Sequence, residues 1–254
     1  EHIITEFHEK PSPENLDGKE SPVSSELEAD GRVYLASMGI YVFDREPLRE
    51  LLDGNPDDHD FGKQIIPAAI DDLTVASYPF TDYWSDIGTI QSFYDANLML
   101  AGTEPPFNLY DQNRLLYTNA RMLPPAKISN SYVQNSLIAE GSVVTNSQLS
   151  RSVVGIRSYV GDNTTLKNTV MMGADHYRWH DLGEIGYLKG PETPGIGEDS
   201  YIEGAIIDKN VSIGKRCIIK NRENVEEAET DRYYIRDGIV VIPKNTVIPD
   251  DTII

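Results

Sequence analysis

The chain has 254 residues, 39% hydrophobic and 25% charged, enough to bury one large core or two modest ones. Its 41 acidic side chains against 22 basic ones give a formal charge of -19, so the average surface repels phosphate backbones and anionic lipid, and neither nucleic acid nor a membrane is an expected partner. The single cysteine, Cys217, rules out an internal disulfide and has no cluster of Cys or His at zinc spacing around it, which fits a reducing compartment.

No stretch approaches the roughly 18 consecutive apolar residues of a spanning helix. The first residues, Glu1-His2-Ile3-Ile4-Thr5-Glu6, resemble neither a signal nor a transit peptide and read as the interior of a strand, as though the chain starts partway through a domain.

The first hundred residues alternate short apolar runs with amphipathic stretches, the pattern of an α/β domain. A strand is expected over 33–43, with Gly39 permitting a bulge. Asp44 can cap a helix carrying Leu48, Leu51 and Leu52 on one face, stopped by Gly54, Asn55 and Pro56. Asp60-Phe61-Gly62 introduces a short helix over 63–70 that contains Pro67. A further strand is expected over 75–80 and a helix over 89–100, with Phe93, Ala96, Asn97 and Leu100 at helical spacing.

Gly102, Pro105, Pro106, Pro124 and Pro125 mark a linker over 101–126 between a first domain, 1–100, and a second, 127–254. From Lys127 onward an aliphatic residue recurs about every six positions. Ile138, Val144 and Ile156 share one grid, with Ser142 and Val160 in accompanying slots. Ile196, Ile202, Ile207, Ile213 and Ile219 follow, accompanied by Ser200, Ile206, Val211 and Cys217, and Ile242, Ile248 and Ile254 close the series. Neither a helix nor a simple strand alternation has this period; it is the hexapeptide pattern of a parallel β-helix, in which each repeat supplies a short strand and a corner. Residues 171–194 and 222–234 interrupt it and read as excursions, with a helical turn expected over 225–229. Cys217, in a repeat slot, reads as a small buried apolar residue.

Three segments carry residues suited to chemistry. Phe7-His8-Glu9-Lys10-Pro11 ends an extended run, where a lysine can meet a phosphate and a carboxylate can accept hydrogen bonds from sugar hydroxyls; a solvated strand end is the alternative. Ala36-Ser37-Met38-Gly39 can set a hydroxyl against a sugar ring or simply pack under a helix. In Tyr83-Trp84-Ser85-Asp86-Ile87-Gly88-Thr89, the carboxylate of Asp86 can bind a divalent cation or a sugar hydroxyl, or cap the following helix. His176 and His180 have a four-residue spacing that suits zinc on a helix, but they fall in an excursion and no third ligand is apparent.

These segments and the hexapeptide tail resemble ADP-glucose pyrophosphorylase (glucose-1-phosphate adenylyltransferase), particularly its cyanobacterial and plant-type subunits, through residues 7–11, 36–42, 60–62, 83–98, 121–127, 152–158, 171–175, 205–214 and 238–254. The resemblance implies a partial Rossmann-like α/β nucleotidyltransferase domain followed by an all-β left-handed parallel β-helix. It implies an enzyme that joins ATP and glucose 1-phosphate into ADP-glucose and pyrophosphate for glycogen or starch synthesis, with Glu9, Lys10 and Ser37 on glucose 1-phosphate. Asp86 would serve the essential Mg²⁺ and the sugar nucleotide, and Lys10 and Asp86 are the expected catalytic residues.

Anionic effectors such as 3-phosphoglycerate or phosphate would meet Arg121, Lys209 and Lys244, where a solvated lysine is the plain alternative for the last two. A homo- or heterotetramer and a bacterial cytoplasm or plastid stroma are likewise implied. The family's glycine-rich nucleotide loop does not occur in these 254 residues and is expected upstream of Glu1, so ATP would bind through that segment and the chain alone is expected to be inactive. A noncatalytic regulatory or oligomerisation subunit and a hexapeptide-repeat acyltransferase are the alternatives; the latter leaves the α/β half unexplained. A trimeric carbonic anhydrase on a β-helix would need three histidines converging between subunits, and no third ligand is apparent beside His176 and His180.

Overall fold

The computed structural model describes residues 2–54, 56–177 and 193–254. They fall into two compact units, Glu1–Trp84 and Ser85–Ile254.

In the first unit the helices form where caps and turns allow them. Helix α1 (Ser25–Ala29) starts at Ser24, whose hydroxyl accepts from the Leu27 amide at 3.4 Å. Helix α2 (Arg45–Gly54) follows Asp44, whose carbonyl takes the first helical bond from Leu48 at 3.2 Å. The Asp60 side chain accepts from the Lys63 amide at 2.9 Å and starts a single π turn, Phe61–Ile65, which runs into α3 (Ile66–Asp72). Pro67 stands in the first turn of α3, where its missing N–H costs nothing, and so continues the helix rather than kinking it. Gly62, Ile65, Ile66 and Ala69 are the buried residues of this stretch.

The expected strands over 33–43 and 75–80 do not form ladders. The first unit's one bridge among the described residues is the antiparallel pair Ile3 and Ala76. An apolar run becomes a strand only where another segment meets its N–H and C=O groups in a continuous ladder; over 33–43 the Ser21 amide meets the Val33 carbonyl at 2.8 Å, which makes no ladder.

The second unit opens with α4 (Ile90–Leu100), capped reciprocally by Thr89 and Ser92. A solenoid then winds through β1 (Lys127–Ser129), β2 (Tyr132–Gln134) and β3 (Leu137–Ile138), then β4 (Val143–Thr145), β5 (Gln148–Ser150) and β6 (Val153–Val154). The third coil is β7 (Tyr159–Val160) with the long β8 (Thr165–Met171), and the fourth is β9 (Gly195–Ile196) with the long β10 (Tyr201–Ile207). After β11 (Ser212–Ile213) and β12 (Ile218–Ile219) come β13 (Ala228–Glu229), β14 (Tyr234–Arg236), β15 (Ile239–Ile242) and β16 (Val247–Ile248).

Three parallel faces result. The first stacks β1, β4, β7, β9, β11 and β16. The second stacks β2, β5, the leading halves of β8 and β10, and β12, and the third stacks β3, β6, the trailing halves of β8 and β10, and β15. β8 and β10 each serve two faces because they turn a corner at Asn168 and Gly204, both with left-handed φ (46° and 66°).

Registry turns the sequence period into three interior columns. Val144, Val160, Ile196, Ile213 and Ile248 stack under the first face, Leu149, Leu166, Ile202 and Ile219 under the second, and Val154, Met171, Ile207 and Ile242 under the third, all buried. The expected grid is therefore one slot out in its second coil. Val154 and Val160 are the anchors there, while Ile156 lies half-buried at a corner, because coils close after 16 or 17 residues and not after a strict multiple of six.

A column of buried side chains lines one corner and answers coil carbonyls that the strands leave over. Ser147 donates to Gly161 at 2.7 Å, Thr164 to Gly197 at 3.0 Å and Ser200 to Gly214 at 3.3 Å, and Cys217 continues the series with its thiol 3.1 Å from the Pro249 carbonyl. Burial pushes the Cys217 thiol pKa up, which agrees with a packing role. The turn expected over 225–229 is instead a hairpin, β13 against β14, held by the Arg236 guanidinium on the Ala228 carbonyl at 2.9 Å and on Glu229 at 3.0 Å.

Outward-facing Val170, Ile206 and Ile239 break the usual alternation on the third face, and α4 covers them with Tyr94 and Leu98.

Candidate functional site

In the first unit, Glu9 and Ser37 stand at the two ends of one contact path. The Glu9 carboxylate lies over Gly62, where an added Cβ would come 2.8 Å from Glu9 Cδ and closer still to Oε2. Phe61, the next residue back, stacks on Tyr41 with ring centres 6.1 Å apart and planes 13° from parallel. Phe43 tilts against both rings at 6.3 and 6.0 Å. The Tyr41 hydroxyl lies 3.1 Å from Ser37 Oγ, which also accepts from the Gly39 amide at 3.2 Å.

Lys10 is exposed, makes no ion pair among the described residues, and holds a left-handed φ of 46° immediately before Pro11. That conformation is disfavoured both for a side chain with a Cβ and for a residue preceding proline, so strain is concentrated beside Glu9. A carboxylate, a hydroxyl, an aromatic platform and an unpaired ammonium are the groups that hold a phosphorylated sugar: polar edges take hydrogen bonds, the ring face takes apolar contact and the phosphate takes the lysine.

Asp86 belongs to the second unit and is exposed. The capping alternative falls away, because Thr89 is the N-cap of α4 and Ser92 completes the capping box. The Asp86 carboxylate instead lies over Gly88, where a Cβ would meet both of its oxygens at 3.3 Å. The described residues contain no group of three His, Cys, Asp or Glu able to hold a metal. A Mg²⁺ at Asp86 would draw its other ligands from phosphate and water, the usual habit of that ion. His176 is exposed, and its expected companion His180 lies outside the described residues.

The three expected effector residues fall along one corner of the solenoid. Coil-to-coil bonds run up this corner from Gly141 to Pro124, Arg157 to Glu140, Ala174 to Ile156, Asn210 to Gly173 and Asn245 to Lys209, at 2.7 to 3.2 Å. Arg121 sits at its lower end in a concavity of about 550 Å³ shared with Thr118, Met122, Leu123, Glu140 and Ile156. Higher up, Lys209 Nζ is 2.8 Å from Asp175 Oδ1 and Lys244 Nζ is 3.9 Å from Oδ2. Asn210 Nδ2 donates to Asp175 Oδ2 at 2.9 Å, and the Asp175 amide donates to Asn210 Oδ1 at 2.7 Å. The hydrogen bond from Lys209, then that from Asn210, hold the Asp175 pKa at about 2. Arg157, between the two groups, donates to the Ala174 carbonyl at 3.3 Å and lies 5.9 Å from the centre of the Tyr177 ring.

Sequence reasoning did not single out Tyr41, Phe61, Gly62 or Asp175. All four lie in segments quoted for the family resemblance, and for the first three the aromatic residues near Ser37 and Asp60 were the available signal. Asp175 lies 34 positions from Lys209, and no local pattern announces that pairing.

A first unit of short helices, joined in one chain to a parallel hexapeptide solenoid, fits a nucleotidyltransferase domain followed by a β-helix. Residues 1–102 match the family model described as nucleotidyl transferase, and residues 121–253 match the GLGC left-handed parallel beta-helix domain. The second match covers more than half of the chain, which belongs to that family; together the two domains are those of the ADP-glucose pyrophosphorylase-like proteins.

Proposed function

We propose that the chain binds glucose 1-phosphate in its first unit and is part of a glucose-1-phosphate adenylyltransferase. In that reaction a phosphate oxygen of the sugar phosphate attacks the α-phosphorus of ATP, ADP-glucose forms and pyrophosphate leaves. No side-chain nucleophile is needed; the protein supplies alignment and charge neutralisation.

The observation that carries this reading is the path Glu9–Gly62–Phe61–Tyr41–Ser37 beside an unpaired Lys10. Lys10 neutralises the sugar phosphate and Glu9 and Ser37 fix the hydroxyls; Asp86, in the second unit, offers one carboxylate to a Mg²⁺.

Titration of the chain with glucose 1-phosphate, followed by saturation-transfer NMR or calorimetry, tests it. Glu9→Gln and Lys10→Ala should each weaken binding about ten-fold or more, as expected for loss of a charge-assisted contact. Equal affinity in both variants would refute the assignment.

We further propose that the corner carrying Arg121, Lys209 and Lys244 receives an anionic effector such as phosphate or 3-phosphoglycerate. Support comes from the alignment of all three cations along one edge of a chain whose net charge is -19. A homo- or heterotetramer belongs to the same proposal.

A further inference from the structure

Lys209 and Lys244 rise from the same corner on successive coils, linked by the bond from the Asn245 amide to the Lys209 carbonyl at 3.0 Å. Strand spacing puts successive coils about 4.8 Å apart, a gap that one anion with two oxygens can bridge. A carboxylate of the chain itself already does so.

Asp175 gives one oxygen to each ammonium, tightly to Lys209 and loosely to Lys244. It is held there through Asn210, whose amide also reaches Asn245 Oδ1 at 3.2 Å. All three charged side chains are a third or more exposed: 33% for Lys209, 39% for Asp175 and 52% for Lys244. Such partly solvated pairs are weak and exchange readily for a better-charged partner.

We infer that Asp175 is an internal pseudo-ligand: it occupies the Lys209–Lys244 site in the unliganded chain, and an incoming phosphate-bearing anion must displace it. The inference rests on the effector reading above and adds to it a threshold. A monoanionic carboxylate keeps the two lysines from weak or singly charged anions, while a dianionic phosphate competes successfully because it pairs with both ammonium groups and carries more charge. Asp175 begins the excursion between β8 and β9, so its release would also untie the start of that segment from Asn210.

Calorimetric titration of the 254-residue chain with inorganic phosphate at low ionic strength, using Asp175→Asn, Asp175→Glu and Lys209→Ala, separates the possibilities. Melting curves first establish that each variant folds. Asp175→Asn preserves a hydrogen-bonding side chain beside Asn210 and removes the competing charge. It should bind phosphate about five- to ten-fold more tightly than the wild type, the effect expected from removing one like charge about 4 Å away in a largely aqueous setting. Asp175→Glu should return affinity to the wild-type range, and Lys209→Ala should abolish binding.

Equal or weaker binding by Asp175→Asn, with binding still lost in Lys209→Ala, would overturn the inference and leave the effector reading standing. Binding unaffected by Lys209→Ala, or absent in every variant, would overturn both. If the wild type fails to bind and Asp175→Asn succeeds, the inference is supported in its strongest form.

Discussion

The hydroxyl of Tyr94 donates to the backbone carbonyl of Asn168 at 2.5 Å, joining α4 to the corner of β8 across 74 positions of sequence. Asn168 turns that corner with a left-handed φ of 46°. Burial pushes the Tyr94 pKa up to about 12, so the group remains a neutral donor throughout the physiological range. Tyr94→Phe should cost about 1 kcal/mol and lower the melting temperature by roughly 2–4 °C, read by thermal circular dichroism. An unchanged melting temperature would show that the bond adds nothing.

The interior columns predict a gradient of mutational cost along the solenoid. Ile202 has no exposed surface, with Leu166 and Ile219 on either side of it in the second column, so Ile202→Ala should cost about 2–5 kcal/mol in urea unfolding. Val133, at the open first coil and 37% exposed, occupies the same column, and Val133→Ala should cost less than about 1 kcal/mol. Similar losses at both positions would contradict the column description.

Cys217 occupies a slot that Ser147, Thr164 and Ser200 fill in other coils, each answering a coil carbonyl. Cys217→Ser should therefore change stability by less than about 1 kcal/mol, since a hydroxyl can take over the contact to Pro249. In the native wild type the buried thiol should react with a thiol-specific disulfide reagent only on the timescale of unfolding. Rapid stoichiometric labelling of the folded chain would count against this placement.

Glu203 takes Lys167 at 2.8 Å, Lys220 at 2.7 Å and the Tyr201 hydroxyl at 2.8 Å. The hydrogen bonds from Lys167, Lys220 and Tyr201, in that order, lower its pKa to about 2 from an ordinary 4.5. A carboxylate with a depressed folded-state pKa stabilises fully above its unfolded value, so this contribution is present above about pH 4.5 and fades as the pH falls toward 2. Urea midpoints of wild type and Glu203→Gln should differ at pH 7 and converge between those limits. A constant difference down to pH 2 would assign the stabilisation elsewhere.

Gly62→Ala places a methyl group where the Glu9 carboxylate lies. The helix should tolerate alanine, while glucose 1-phosphate affinity should fall several-fold as Glu9 is pushed aside. Retained affinity would separate Glu9 from the sugar site.

How much of this was legible in the sequence depended on how local each cause is. The solenoid was readable because every coil repeats the same demand for an aliphatic anchor, and Ile196, Ile202, Ile207, Ile213 and Ile219 fall where the period puts them. The offset at Ile156 came from coil closure, which depends on corner geometry at residues such as Arg157 (φ 55°) rather than on hydrophobicity. Helix α4 was readable from spacing, but Ile206, expected in a repeat slot beside the interior anchors, faces outward with Val170 and is covered by the helix. The 33–43 segment has the composition of a strand, but the bond from Ser21 to Val33 does not extend into a ladder. Glu9 and Ser37 are proposed from residue type and resemblance; that Phe61 and Tyr41 connect them is a long-range fact no local pattern contains.

The apolar strip beneath α4 has a practical corollary for dissecting the molecule. The two family matches end at 102 and begin at 121, which invites excision between them. A fragment cut there would leave the solenoid without Tyr94 and Leu98, turn Val170, Ile206 and Ile239 toward water, and be prone to self-association. The separable module begins near Ser85, so the helix is structurally the solenoid's own lid although its sequence is counted with the transferase half.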